Sequence, residues 1–158
     1  MNKIIATCAV ALAIVAAPLA AAQDNAAAIA DLQAMQQAAR KDKRALVEQT
    51  LQLTPPEAKK FWPIYDDYQR EFVRLNRERN LALQTLAARD RPLSDAYAKQ
   101  VVNELLSVEE QEIKALRKAT NAAMRALPPK KAARYLQLEN KLRAVQDYDI
   151  AVAFPLAQ

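Results

Sequence analysis

Leu53-Thr54-Pro55-Pro56-Glu57-Ala58-Lys59-Lys60-Phe61-Trp62-Pro63-Ile64-Tyr65-Asp66-Asp67-Tyr68 contains the only tryptophan of the chain and its densest group of aromatics. The stretch opens with several independent helix-start signals. Thr54 suits an N-cap, Pro55 the first helical position, and Glu57, three residues after Thr54, completes a capping-box pattern. A related stretch recurs as Leu127-Pro128-Pro129-Lys130-Lys131-Ala132-Ala133-Arg134-Tyr135-Leu136-Gln137-Leu138. At an offset of 127 − 53 = 74 residues, Leu53 matches Leu127, Pro55 matches Pro129 and Ala58 matches Ala132. Lys60 falls on Arg134, Phe61 on Tyr135, Ile64 on Leu138 and Tyr68 on Leu142. The pattern reads as two copies of one helical hairpin, with related starts at 53–88 and 127–149.

Working outward, the second helix runs from Thr54 to about Ala88 on a stripe of Phe61, Ile64, Tyr65, Tyr68, Phe72, Leu75, Leu83 and Leu86. Pro63 inside it removes a backbone hydrogen bond, which predicts a kink at Lys59 to Pro63 with Trp62 packed against it. Before it, Ile29, Leu32, Met35, Ala39, Leu46, Val47, Thr50 and Leu51 keep rough helical spacing, interrupted by Arg40-Lys41-Asp42-Lys43-Arg44. That polar knot reads as a solvated helix turn or as an anionic contact. After it, Arg89-Asp90-Arg91-Pro92 makes a turn and Ser94 caps a third helix, which ends near Leu127. The stripe of this third helix reads Val102, Leu106, Ile113, Leu116, Thr120, Ala123 and Leu127, with Glu109 as its polar member. Pro128-Pro129 starts the fourth helix, which carries Tyr135, Leu138, Leu142 and Val145 and ends around Asp147 to Asp149. An apolar tail from Ile150 to Leu156 follows, suited to packing across the bundle or a dimer seam, with a strand added to a partner as the lesser option.

The fold expected is all-α: a four-helix, two-hairpin bundle or cradle with a Pro-kinked second helix, dimeric in use. Leu53, Thr54, Trp62, Pro63, Leu127 and Tyr135 are its structural residues.

Composition narrows the function. The 158 residues include no Gly and no His. Without Gly there is no phosphate loop, dinucleotide fingerprint or nucleophile elbow, each of which needs backbone that a Cβ would block. Without His the commonest general base and metal ligand is missing, so no catalytic residue, cofactor or metal is assigned. Glu104, Glu109, Glu110 and Glu112 crowd one half of the third helix, but no His accompanies them. The N-terminus reads as a signal peptide over residues 1–22, with Lys3, an apolar core and cleavage after Ala22. The mature all-helical domain, 23–158, then lacks cysteine, because Cys8 leaves with the leader. Losing Lys3 lowers the formal charge from +5 to +4, a mild surplus that suits acidic clients or a membrane surface, not nucleic acid.

Proline-punctuated helical hairpins, a Leu-Thr-Pro start and an exported, cysteine-free chain resemble the Spy/CpxP-like periplasmic family. That family is marked by a repeated Leu-Thr-x-x-Gln motif; Leu53-Thr54-Pro55-Pro56-Glu57 has Glu57 for the Gln, and the second copy keeps Leu127 alone. The resemblance implies a periplasmic, cradle-shaped homodimer that binds unfolded or partly folded envelope proteins without ATP. Some members instead act as adaptors on an envelope stress sensor, and others bind metals. For client binding the expected residues are Arg70, Arg74 and Arg77 on the second helix and Lys118 and Arg125 on the third, with Phe72 as an apolar hold.

Overall fold

The computed structural model describes residues 17–88 and 92–154, with side chains from residue 28 onward. Residues 1–16 of the expected leader, the expected turn at Arg89-Asp90-Arg91 and residues 155–158 of the expected tail lie outside the described residues, as do the side chains around the expected cleavage site. Four helices follow in order: α1 (Ala17–Leu51), α2 (Pro55–Ala87), α3 (Asp95–Ala126) and α4 (Pro129–Ala153). No strand occurs among the described residues, so the fold is an all-α four-helix bundle.

Each helix start has a local cause. At α2 the Glu57 carboxylate accepts the backbone N–H of Thr54 at 2.8 Å, which satisfies one of the donors a helix leaves free at its N-terminus. At α3 the Ser94 hydroxyl accepts from the N–H of Tyr97 at 3.4 Å. Pro129 occupies the first position of α4, where its missing N–H costs nothing. Without glycine, α1 ends through Gln52, which takes a left-handed φ of 47°. The carbonyl freed there is not left bare. Lys131 of α4 donates to the Gln52 carbonyl at 2.7 Å and to Glu57 at 2.7 Å, which clamps three elements at one corner.

The break in helical backbone falls in α1, not at the proline. Asp42 has φ −158° and ψ 94°, and its carboxylate accepts the N–H of Ala45 at 2.9 Å. It therefore acts as an N-cap that restarts the helix in the middle of the polar knot. Pro63 is exposed and lies within α2, which stays helical on both sides of it. The carbonyl of Lys59, deprived of its donor, belongs to an exposed turn where water can reach it. Around that turn Trp62 lies 5.3 Å from Phe61 and 5.4 Å from Tyr65, while the Arg44 guanidinium sits 4.1 Å over the indole.

Packing exchanges the hairpin partners. α2 packs along α3, α1 along α4, and α3 on α4, whereas α1 and α2 meet through long side chains such as Arg44 to Asp66 at 2.5 Å. The 74-residue repeat explains this, because the α1–α4 and α3–α2 pairs are equivalent under it. Its matched aromatics meet at the centre: Phe61 and Tyr135, both fully buried, stack edge to face at 5.1 Å. Val47, Leu51, Tyr65, Tyr68, Ala123, Leu127, Ala132 and Leu138 complete the core around them. Burying each large side chain contributes roughly 1.5–3 kcal/mol.

Two further expectations are corrected. α3 turns Val101, Val108, Glu112, Leu116, Ala119 and Ala123 inward, while Val102, Leu106 and Ile113 of the expected stripe face out. α4 continues past Asp149 to Ala153, since Asp147 and Asp149 are paired with other helices and nothing before Pro155 stops it. Phe154 is extended, at φ −113° and ψ 117°, as the residue before a proline should be.

Candidate functional site

Along the α2–α3 seam lies a groove of about 760 Å³. Its apolar lining is Ile64 and Tyr68 from α2 and Ala115, Ala119 and Ala122 from α3. Arg70 and Arg74 stand on its α2 side, Lys114 and Lys118 on its α3 side, against the carboxylates of Asp67 and Glu71. The alanines make the groove, because short side chains on α3 leave space that leucines would fill.

Three of the expected cations, Arg70, Arg74 and Lys118, therefore converge on one surface. Arg70 pairs with Asp67 one turn back. Arg74 pairs with Glu71 at 2.7 Å and with Glu78, and its guanidinium also donates to Gln111 of α3 at 3.1 Å. The Arg74 hydrogen bonds hold the Glu71 carboxyl below its ordinary range, with a smaller contribution from Lys118. Such exposed pairs are weak and exchange readily with other partners. Lys114 and Lys118 make no ion pair among the described residues, which leaves the α3 rim as the more available positive edge.

The other expected residues lie elsewhere. Arg77 borders a second cleft, of about 660 Å³, beside Val73, Leu81, Asn76 and Gln146. Arg125 sits exposed in the last turn of α3. Phe72 is only 8% exposed and stacks on Tyr68 at 5.7 Å, with the Lys43 ammonium 5.2 Å from its ring. It belongs to the core; the exposed apolar residues beside the arginines are Val73 and Leu81.

Sequence reasoning missed the buried charges. Glu139 of α4 is fully buried and accepts from Lys43 of α1 at 2.8 Å and from Gln69 of α2 at 3.2 Å, joining three helices. Glu112 of α3 is buried against Arg143 at 3.2 Å and Arg79 at 3.6 Å. Desolvation pushes both carboxyls above their ordinary range despite these partners. Arg79 extends the chain of contacts to Asp147 at 3.0 Å and to Asn76 at 2.6 Å. The Glu-rich half of α3 is thus divided: Glu112 is structural, while Glu104, Glu109 and Glu110 are exposed. No three acidic, His or Cys side chains group as a metal site among the described residues, and no described helix is long and apolar enough to cross a membrane. The chain matches no family model, no curated protein and no solved structure.

Proposed function

We propose that the mature chain is an exported, periplasmic, ATP-independent chaperone that holds unfolded or partly folded envelope proteins. The observation that carries this reading is the α2–α3 groove, where four cations surround an apolar floor. Long-range attraction brings an acidic or unfolded segment to the rim, and the half-buried Ile64, Ala115 and Ala122 then take its apolar side chains. Exposed ion pairs that exchange cheaply keep the binding weak and reversible, as a holder needs. The residues that resemble the Spy/CpxP-like family, around Leu53-Thr54, support the same function independently of the groove. No nucleotide, metal or catalytic group enters the reading, since the sequence offers neither a phosphate-binding loop nor a histidine.

The test is aggregation of a chemically denatured client diluted into buffer with a molar excess of the protein and no nucleotide. Suppressed light scattering is expected for several unrelated clients. Protection of none, with saturable binding to one envelope sensor instead, would replace the chaperone by a regulatory adaptor.

A further inference from the structure

Three seams of the bundle are packed, α2 on α3, α3 on α4 and α4 on α1; the fourth, between α1 and α2, is open. Two clefts of about 400 and 660 Å³ run along it with α4 beneath them. Both are lined by Phe72, Val73 and Gln146, so they form one trough. Along α2 it extends from Gln69 to Gln84, about 22 Å at 1.5 Å per residue.

The α1 end of the trough is cationic. Arg40 and Lys43 of α1 and Arg143 of α4 line it. Asp149, the one carboxylate lining this end among the described residues, already accepts from Gln36 at 2.7 Å and from Arg40 at 2.6 Å. Glu139 and Glu112, which pair with Lys43 and Arg143, are buried in the bundle and do not line the trough. Arg143 also keeps its Nε buried without a hydrogen-bond partner. The far end offers amides. Asn76 is spent on the Phe72 carbonyl, Arg79 and Gln146. Asn80 and Gln84, one turn apart on α2, are not: their side chains make no hydrogen bond among the described residues, and the Asn80 carbonyl oxygen is buried without one. Val73 and Leu81 add exposed apolar surface to the walls.

Unspent amides suit a ligand that both donates and accepts, and the cationic end suits a carboxylate. An extended peptide with a free C-terminus combines the two. Its two-residue repeat of about 6.6 Å is close to the roughly 6 Å that separates Asn80 from Gln84 along the helix. Six such residues, at about 3.3 Å each, fill the trough. We propose that the open α1–α2 seam binds the C-terminal segment of another polypeptide, its terminal carboxylate at Arg40, Lys43 and Arg143 and its backbone on Asn80 and Gln84. Arg40 exchanges its exposed pair with Asp149 for the ligand at little cost. The site is separate from the α2–α3 groove, with which it shares no lining residue.

Fluorescence anisotropy tests this with an N-terminally labelled hexapeptide of alternating Ser and Val, made once with a free C-terminal carboxylate and once with a C-terminal amide. The two probes differ only at the terminus. The parent should bind the free acid at least about tenfold more tightly than the amide, equivalent to about 1.4 kcal/mol. Arg40→Gln should reduce that preference at least about threefold, since one of three cations loses its charge. Asn80→Ala combined with Gln84→Ala should weaken both probes by the same factor, at least about fivefold, because backbone contacts are common to the two. These changes keep or raise helix propensity, so circular dichroism should show unchanged helix. A parent that binds acid and amide equally, or binds neither at about 1 mM, overturns the inference. A preference untouched by Arg40→Gln overturns the carboxylate site, and binding indifferent to the Asn80 and Gln84 changes overturns the placement of the peptide backbone.

Discussion

Removing the lysine that faces Glu139 is the most informative single perturbation. Glu139 is fully buried, while the Lys43 side chain keeps 22% exposure, so the two partners are unequal. Lys43→Met leaves a carboxylate with only Gln69 at 3.2 Å and the more distant Arg143 to offset its burial. Breaking a buried pair in this way costs ~3–5 kcal/mol, reduced to the extent that the carboxyl takes up a proton instead. Glu139→Leu should cost less, about 2 kcal/mol, because Lys43 can turn its ammonium toward water. The double change Lys43→Met with Glu139→Leu should lie within about 1 kcal/mol of the parent, since neither charge remains to be desolvated. The pH dependence has a definite sign. Burial raises the Glu139 pKa above its ordinary 4.5, so the folded state binds the proton more tightly. That contribution to stability is complete below 4.5 and is lost as pH rises through the folded value. Glu112 acts in the same direction. Lys43→Met removes a group that lowers the Glu139 pKa, so the variant should regain more stability on acidification than the parent. Urea unfolding followed by circular dichroism at pH 7 and pH 5, at one protein concentration, measures all of this. The reasoning is refuted if Lys43→Met costs under about 0.5 kcal/mol, or if the double change costs the sum of the two single ones.

Further perturbations address the backbone and the leader. Asp42→Ala removes the cap that restarts α1 and should cost about 1 kcal/mol in thermal or urea unfolding. Thr54→Ala should cost no more than this, because the Glu57 carboxylate still accepts the backbone N–H of residue 54. Gln52→Gly should leave stability unchanged or raise it by up to about 1 kcal/mol, since glycine takes the left-handed φ of 47° without strain. For the exported protein, mass spectrometry should find a chain beginning at Gln23; a retained Met1 or a lipid on Cys8 would contradict the signal-peptide reading.

How much of this was legible depends on the range of the interaction involved. Helix starts at Thr54-Pro55, Ser94 and Pro128-Pro129 are local chemistry, and all three stand where capping residues and prolines put them. The 74-residue repeat was equally readable, and Phe61 on Tyr135 is its structural outcome. What misled was the choice among local breakers. Pro63 looks decisive in isolation, yet its turn is exposed and flanked by packed aromatics, while Asp42 breaks α1 by capping the segment behind it. The α3 stripe was misplaced because two apolar faces, both helical in period, compete for the interior. Only the bundle's other helices decide between them. Buried Glu112 and Glu139 are indistinguishable in sequence from exposed glutamates, because their partners lie 31 to 96 residues away on other helices. At the candidate site, Arg70 and Arg74 shared a visible ridge, but Lys118 joins them only through the α2–α3 packing, and the same packing sends Arg77 to a different cleft.

The central claim is that the α2–α3 groove holds clients, and stopped-flow association of a fluorescently labelled, acidic unfolded protein tests it most directly. The comparison is the parent against Arg70→Ser, Arg74→Ser and Lys118→Ser combined, with Arg77→Ser and Arg125→Ser combined as a control that also removes positive charge. Screening shortens from ~10 Å at 0.1 M salt to ~3 Å at 1 M, so the parent should associate more slowly at high salt. The groove variant should associate slowly at both salt concentrations while the control follows the parent. Equal slowing of both variants would make net charge the cause. A groove variant that binds and protects as the parent does would remove the α2–α3 groove as the client site.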